Sequence, residues 1–223
     1  MPKETFQKLN KEKKLLIQRA FFREFAIKSF DDASITQVVM QLGIAKGSIY
    51  QYFENKVDLY IYLMMEAGTL KANLLEPIKR ESYATFWEYL KDIYSAGITF
   101  DNKHFLESNF LYAALNNVNS PSIRGLFNQW NKAIHIEFTT KIQYEIDAGL
   151  FHNELPASKM AFILQQNLTS INDYLKRFHG LNIAESIQAS KGIYHGEMAN
   201  HLLETVDEHF ILLKKAFDNN INR

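Results

Sequence analysis

The chain has 223 residues, with 25 basic and 25 acidic side chains and no net charge. That length suffices for one large domain or two modest ones with a buried core, and 47% hydrophobic against 22% charged residues argues against wholesale disorder. The absence of cysteine excludes a disulfide framework, a thiolate metal site and a cysteine nucleophile, and suits a reducing cytoplasm. Only 9 glycines and 4 prolines leave too little turn chemistry for a many-stranded sandwich or barrel. No run is apolar enough to span a membrane as a helix, and with the polar start Met1-Pro2-Lys3-Glu4 no secretory signal is expected. The neutral total is uneven: residues 1–60 hold ten Lys/Arg and seven Asp/Glu, a balance of +3 that the rest of the chain cancels. This charge is either scatter or a first quarter that meets an anion.

The period is helical throughout, so the fold class expected is all-α. Leu16, Ile17, Ala20, Phe21, Phe25 and Ala26 recur at spacings of three and four, placing a first helix at about residues 11–29. Ser34 is a good N-cap for a short amphipathic helix carrying Ile35, Val38, Val39 and Leu42. Gly43 ends it by supplying a left-handed residue. A third short helix follows at about 45–53, and Asn55 caps a fourth that runs toward Pro77. Longer helices are expected at 82–101, 103–117, 121–149, 157–178 and 197–218, with Pro121 and Pro156 at helix starts and Gly149 and Gly180 at stops. Residues 181–196 read as one weakly patterned connection.

Two short helices joined through a glycine, over residues 34–59, make a helix-turn-helix pattern. At about 100° per residue, with Ile49 set inward, Phe53, Ala45 and Tyr52 lie on the same side of the second helix. Gly47 and Gln51 point away, Tyr50 and Ser48 flank them, and Lys46 reaches outward from the first turn. This outward face has no acidic residue. Gly47 inside so short a helix costs about 1 kcal/mol relative to alanine, which close approach of the backbone to a phosphate or base edge would explain. Lys56 sits at a helix N-terminus where the dipole disfavours a cation, and a docked phosphate would reverse that sign. Gln51 is the side-chain type that reads an adenine edge. Two short helices around a glycine also occur in helical proteins that bind no DNA, and the pattern alone leaves both readings open.

The run Gly43-Ile44-Ala45-Lys46-Gly47-Ser48-Ile49-Tyr50-Gln51-Tyr52-Phe53-Glu54-Asn55-Lys56, with Leu59 beyond, resembles the signature of the TetR family of bacterial transcription regulators. The likeness covers about residues 11–60. Ala45 departs from it, standing where the family has a capping Ser or Thr, and Val38, Val39 and Leu42 are apolar replacements. The resemblance implies an N-terminal three-helix helix-turn-helix DNA-binding domain at residues 1–55, and a larger helical effector-binding and dimerisation domain at 56–223. It places Thr36, Lys46, Gly47, Ser48, Tyr50, Gln51, Tyr52 and Lys56 at or near a double-stranded DNA operator. Tyr52 has a second reading, as a packed ring. The implied function is a transcriptional regulator, a repressor released from a near-palindromic operator.

Two C-terminal segments have sharp seams: Ala161, Leu164, Leu168, Ile171, Leu175, Phe178, and Ala199, Leu202, Val206, Phe210, Leu213, Phe217. They suit antiparallel helix packing, within one subunit or between two. The resemblance favours a homodimer through residues 157–178 and 197–218. It also turns the aromatic-rich stretch 82–151 into a candidate cavity for a small hydrophobic effector, with Trp87, Tyr94, Asn109, Phe110, Gln129, Trp130, His135 and Phe138 as its contacts. His201, Glu204 and Glu208 share a helix face but read as a solvated polar face rather than a metal site. No phosphate loop, nucleophile elbow or zinc motif occurs in the sequence, so neither an enzyme, a cofactor nor a metal is expected. The alternative function is a helical module that uses its apolar C-terminal seams on a partner protein.

Overall fold

The computed structural model describes residues 1–116 and 120–219; the side chains of Lys46 and Asn116 fall outside that description. Among the described residues there are eleven α-helices and no strand: α1 (Glu4–Gln7), α2 (Lys11–Ile27), α3 (Ile35–Gln41), α4 (Lys46–Tyr52), α5 (Lys56–Leu75), α6 (Phe86–Lys103), α7 (Phe105–Asn116), α8 (Arg124–Asp147), α9 (Ala157–Phe178), α10 (Ile183–Gln188) and α11 (Glu197–Phe217). The all-α expectation holds. The expected end of one helix at residue 117 lies outside the described residues.

Local chemistry sets most boundaries. Asn10, Ser34, Asn55 and Asn182 each accept a hydrogen bond from the backbone N–H three residues on, starting α2, α3, α5 and α10. α6 begins at Phe86, later than residue 82, because Thr85 and Glu88 cap each other reciprocally. The Glu88 N–H donates to Thr85 Oγ1 at 3.2 Å and the Thr85 N–H to Glu88 Oε2 at 3.0 Å. α8 begins at Arg124 rather than Pro121, since the Ser120 carbonyl first accepts from both Ile123 and Arg124. Gly43, at φ 65°, turns the chain out of α3 as expected.

The chain packs as two compact units, each assembled from separate stretches. The first comprises Met1–Glu76, Thr99–Arg124 and Asn182–His195. Its centre is a cluster of rings from four segments. Tyr60 meets Phe25 at 5.0 Å, Phe30 at 5.1 Å and Phe110 at 5.1 Å, and Phe22 meets Phe110 at 5.2 Å, mostly edge to face. α2 thus packs along α7, and α10 packs on both. α10 lies within the stretch expected to be an unpatterned connection. It is only six residues long, too short to show a period, and is held by Asn182 and by the burial of Ser186 and Ile187. Just after it, Gly192 approaches the α6 backbone so closely that an added Cβ would fall 2.1 Å from the Asp101 carbonyl oxygen.

The second unit comprises Pro77–Ile98, Gly125–Leu181 and Gly196–Arg223. Here α9 packs against α11. Ala161, Leu164, Ile171, Leu175, Leu202, Val206, Phe210, Leu213 and Phe217 are all buried by this chain alone. The two seams are therefore accounted for by packing within the subunit. Phe178, read as the last residue of the first seam, is instead 70% exposed. The guanidinium of Arg80 forks onto buried Glu145, Nε to Oε1 at 2.6 Å and Nη2 to Oε2 at 2.8 Å, and its Nη1 donates to the Tyr83 carbonyl.

Asp101 is buried in the first unit, where desolvation raises its pKa from 3.8 to about 6 despite a hydrogen bond from Ser108 Oγ and the nearby Lys71 charge. Below about pH 4 the carboxyl is protonated whether the chain is folded or unfolded; between about pH 4 and 6 only the unfolded chain ionises it, so stability falls as pH rises through that window and stays lowered above it. Asp101→Asn should therefore raise the unfolding free energy at pH 7 by about 2 kcal/mol and change it little near pH 4, as read by urea titration at both pH values.

Candidate nucleic-acid interface

α3, the Gly43 turn and α4 form the helix-turn-helix, and α4 is its second helix. α3 is oriented by Glu24 of α2. The Glu24 carboxylate accepts from the Ser34 N–H and from Lys28 Nζ, both at 2.8 Å, and the same ammonium donates to Gln37 Oε1 of α3. Val38 and Val39 are buried, so α3 is held from beneath and by its N-terminus.

α4 has an inner and an outer side close to the expected ones. Ile49 and Phe53 are buried, Gly47, Tyr50 and Gln51 are exposed, and Ser48 and Thr36 are half-buried. The side chain of Lys46 lies outside the described residues. Tyr52 is only 7% exposed, its ring set edge-on to Phe6 at 5.7 Å, whereas Tyr50 is 43% exposed. Of the two tyrosines, only Tyr50 offers a ring to solvent. Ala45, expected on the inner side, is exposed. It is the N-cap, with extended backbone at φ −66° and ψ 139°, so helical spacing does not extend to it, and it provides no side-chain cap. Apart from its chain neighbours and its own helix backbone, no heavy atom of the described residues lies within 4 Å of where a Gly47 Cβ would sit.

Lys56 begins α5 behind the Asn55 cap. Its ammonium is drawn back onto the α2–α3 connection, donating to the Asp31 carbonyl at 3.2 Å and lying 4.9 Å above the Phe30 ring. Partial burial there lowers its pKa, against the opposing pull of Asp31, Asp32 and Glu24. The Asp31 carboxylate accepts from Ser120 Oγ at 3.0 Å, so Asp31 joins Lys56 to the start of the turn before α8.

The sequence did not signal what lies at the other end of α4. Residues 3–7, around the short helix α1, cross its last turn. Lys3 donates through its backbone N–H to the Tyr52 carbonyl at 2.8 Å and through Nζ to the Tyr50 carbonyl at 3.0 Å. Thr5 Oγ1 donates to the Gln51 carbonyl. Phe6 is buried among Tyr52, Phe53 and Tyr62. The segment's signal in the sequence is one isolated phenylalanine, Phe6, in a lysine-rich opening.

Residues 17–63 match a family described as bacterial regulatory proteins, tetR family. A TetR family transcriptional regulator from Chloroflexus aurantiacus shares 27% sequence identity and superposes with a TM-score of 0.77, over 98% of this chain and 99% of that one. By these likenesses the chain is similar to TetR-family regulators, and residues 17–63 carry that family's N-terminal signature. The proteins that it is similar to are transcriptional regulators, not enzymes. A curated relative, an uncharacterized HTH-type transcriptional regulator of Haemophilus influenzae, is 28% identical over 90 residues, and the matched stretch spans 36% of this chain and 44% of that protein's length. The transcriptional regulator FadR of Bacillus subtilis, solved in complex with stearoyl-CoA, shares the fold at 17% identity, with a TM-score of 0.62 over 89% of this chain and 96% of that one.

In this chain the eight residues read as effector contacts do not form one set. Asn109 and Phe110 belong to the first unit, where Phe110 fills the Tyr60 ring cluster. Asn109 is fully buried; its Nδ2 donates to the Phe105 and Lys191 carbonyls, and its Oδ1 has no hydrogen-bond partner among the described residues. The other six belong to the second unit. Trp87 is buried among Phe86, Phe151, Phe210 and Phe217, and its Nε1 donates to Asp218 at 2.8 Å. Tyr94, Trp130, His135 and Phe138 are half-buried and Gln129 is exposed. Desolvation raises the Tyr94 phenol above its ordinary pKa, and His135 Nδ1 lies 2.8 Å from Gln165 Oε1. His201 Nδ1 is 3.7 Å from Glu204, and among the described residues no three His, Asp or Glu side chains could hold a metal ion.

The contrast between the two tyrosines is measurable without a ligand. Tyr52→Ala should lower stability by about 3 kcal/mol through lost packing, and Tyr50→Ala should change it by less than about 0.5 kcal/mol, in denaturant unfolding of both variants.

Proposed function

We propose that the chain is a homodimeric repressor that acts in the bacterial cytoplasm by laying the exposed side of α4 into the major groove of a near-palindromic operator. The observation that carries this reading is the exposed side itself. Gly47, Tyr50 and Gln51 stand outward, and no carboxylate occurs between Lys46 and Tyr52. Tyr50 and Ser48 bring hydroxyls toward phosphate, Gln51 brings an amide that can pair with an adenine edge, and Lys46 is a candidate phosphate contact by its sequence position alone. Thr36 meets backbone phosphate from α3. Lys56 exchanges its Asp31 carbonyl for a phosphate, a stronger acceptor. Tyr52 contributes by packing beneath them.

A two-fold pair sets two such helices about one DNA turn apart. The surface for that pair is the outward side of the last long helices. Phe162, Ile163, Tyr174 and Phe178 on α9, with Ile211 and Leu212 on α11, are exposed apolar residues beyond those already buried between the two helices. This apolar surface supports pairing through residues 157–178 and 197–218. Effector control follows the same logic: a small hydrophobic ligand bound in the second unit shifts the population toward a form in which the two α4 helices no longer match the operator. The half-buried residues Tyr94, Trp130, His135 and Phe138 are its candidate contacts. FadR of Bacillus subtilis, which holds stearoyl-CoA in its solved complex, supports ligand responsiveness in a protein of this fold without fixing the ligand here.

The test begins with selection of duplexes from a random pool by the purified protein. Bound sequences should be near-palindromic, and affinity should fall steeply with salt. On the selected duplex, Tyr50→Ala and Lys56→Ala should each weaken binding about tenfold in gel-shift titrations, with helix content unchanged. Gly47→Ala should stabilise the free protein by up to about 1 kcal/mol and still weaken binding, because the added methyl meets only the duplex. Sedimentation at micromolar concentration should give a dimer; a monomer that pairs only with another protein would establish the partner-binding module instead.

A further inference from the structure

We propose that Lys3 and Thr5 are positioning residues for DNA reading, acting by fixing the backbone of the last turn of α4. The proposal rests on the reading of α4 as the recognition helix. A helix leaves the carbonyls of its last turn without intrahelical partners. In α4 these belong to Ile49, Tyr50, Gln51 and Tyr52. The Phe53 N–H takes the first at 2.8 Å. The other three are each met by the N-terminal segment: Tyr50 by Lys3 Nζ, Gln51 by Thr5 Oγ1 and Tyr52 by the Lys3 N–H. All four carbonyls are satisfied, three of them by residues more than forty positions away in sequence.

The arrangement is also favourable in charge. The Lys3 ammonium lies at the C-terminal, negative end of the helix dipole, and Glu54 holds it there at 3.0 Å. Phe6 anchors the segment, 4.9 Å from the Phe53 ring and 5.4 Å from Tyr62. The opposite end of α4 lacks such support, since Ala45 provides no side-chain cap and Gly47 weakens the first turn. The two carbonyls that receive side-chain donors belong to Tyr50 and Gln51, whose own side chains point outward. Lys3 and Thr5 therefore grip the backbone beneath the residues that face the groove. Base reading requires side chains held to within about 0.5 Å, so loosening this turn lowers discrimination before it lowers overall stability.

The experiment uses the full chain, the duplex that it selects from a random pool and an unrelated duplex of equal length. Thr5→Val keeps the side-chain shape and removes the donor; Lys3→Met keeps the stem and removes the ammonium. The double variant should lose about tenfold in affinity for the selected duplex and less than about twofold for the unrelated one, and Thr5→Ser with Lys3→Arg should restore binding. Backbone amide exchange at Ile49–Phe53 should speed up in the double variant while that of α2 is unchanged. Equal losses on both duplexes with a shallower salt dependence would make Lys3 a phosphate contact and overturn the proposal, as would unchanged affinity or unchanged exchange. Failure of the unmodified chain to select any duplex overturns the DNA reading itself, and is seen before any variant is made.

Discussion

A helix of seven residues does not persist alone in water. Nucleating it fixes several dihedrals for few hydrogen bonds, and isolated helices shorter than about 12 residues are marginal even with the best composition. α4 begins without a side-chain cap and carries a glycine in its first turn. Its existence therefore depends on what surrounds it. Ile49 and Phe53 bury its inner side, Phe6 and Tyr52 seal one edge, and the N-terminal segment satisfies its last carbonyls. The outer side carries the exposed residues Gly47, Tyr50 and Gln51.

The same dependence extends to the whole helix-turn-helix, which shares its core with other helices of the first unit. The rings beneath it come from α2, α5 and α7, converging on Tyr60 and Phe110. The carboxylate that orients α3 belongs to α2, and the carbonyl that holds Lys56 belongs to the α2–α3 connection, itself tied to Ser120. A small three-helix unit buries a smaller share of its surface than a larger domain does. Sharing a core with α7 and α10 adds to that burial.

In the second unit a different constraint dominates. α9 and α11 each have more apolar residues than one contact can cover. One stripe on each closes the seam between them, and a second group, including Phe162, Ile163, Ile211 and Leu212, stays exposed. Polar groups there are tightly paired: Arg80 with Glu145, and Trp87 with Asp218. A buried charge without such a partner would be strongly destabilising, which is why these contacts are bidentate or short.

The sequence by itself determined the helical class, the caps at Ser34 and Asn55, the turn at Gly43 and the inner and outer sides of α4. Each is set by chemistry within a few residues: a hydroxyl or amide three positions from an orphan N–H, a residue free to take positive φ, a repeat of three and four. Tertiary structure alone decided which apolar stripe meets which. A stripe records that a side is buried but not what buries it, so the seams of α9 and α11 were equally compatible with one subunit or two. The short helices α1 and α10 were illegible for a related reason, since neither is long enough to show a period. The hold of Lys3 and Thr5 on Tyr50 and Gln51 was hidden as well. Backbone carbonyls carry no sequence signature, and only folding brings the two segments together.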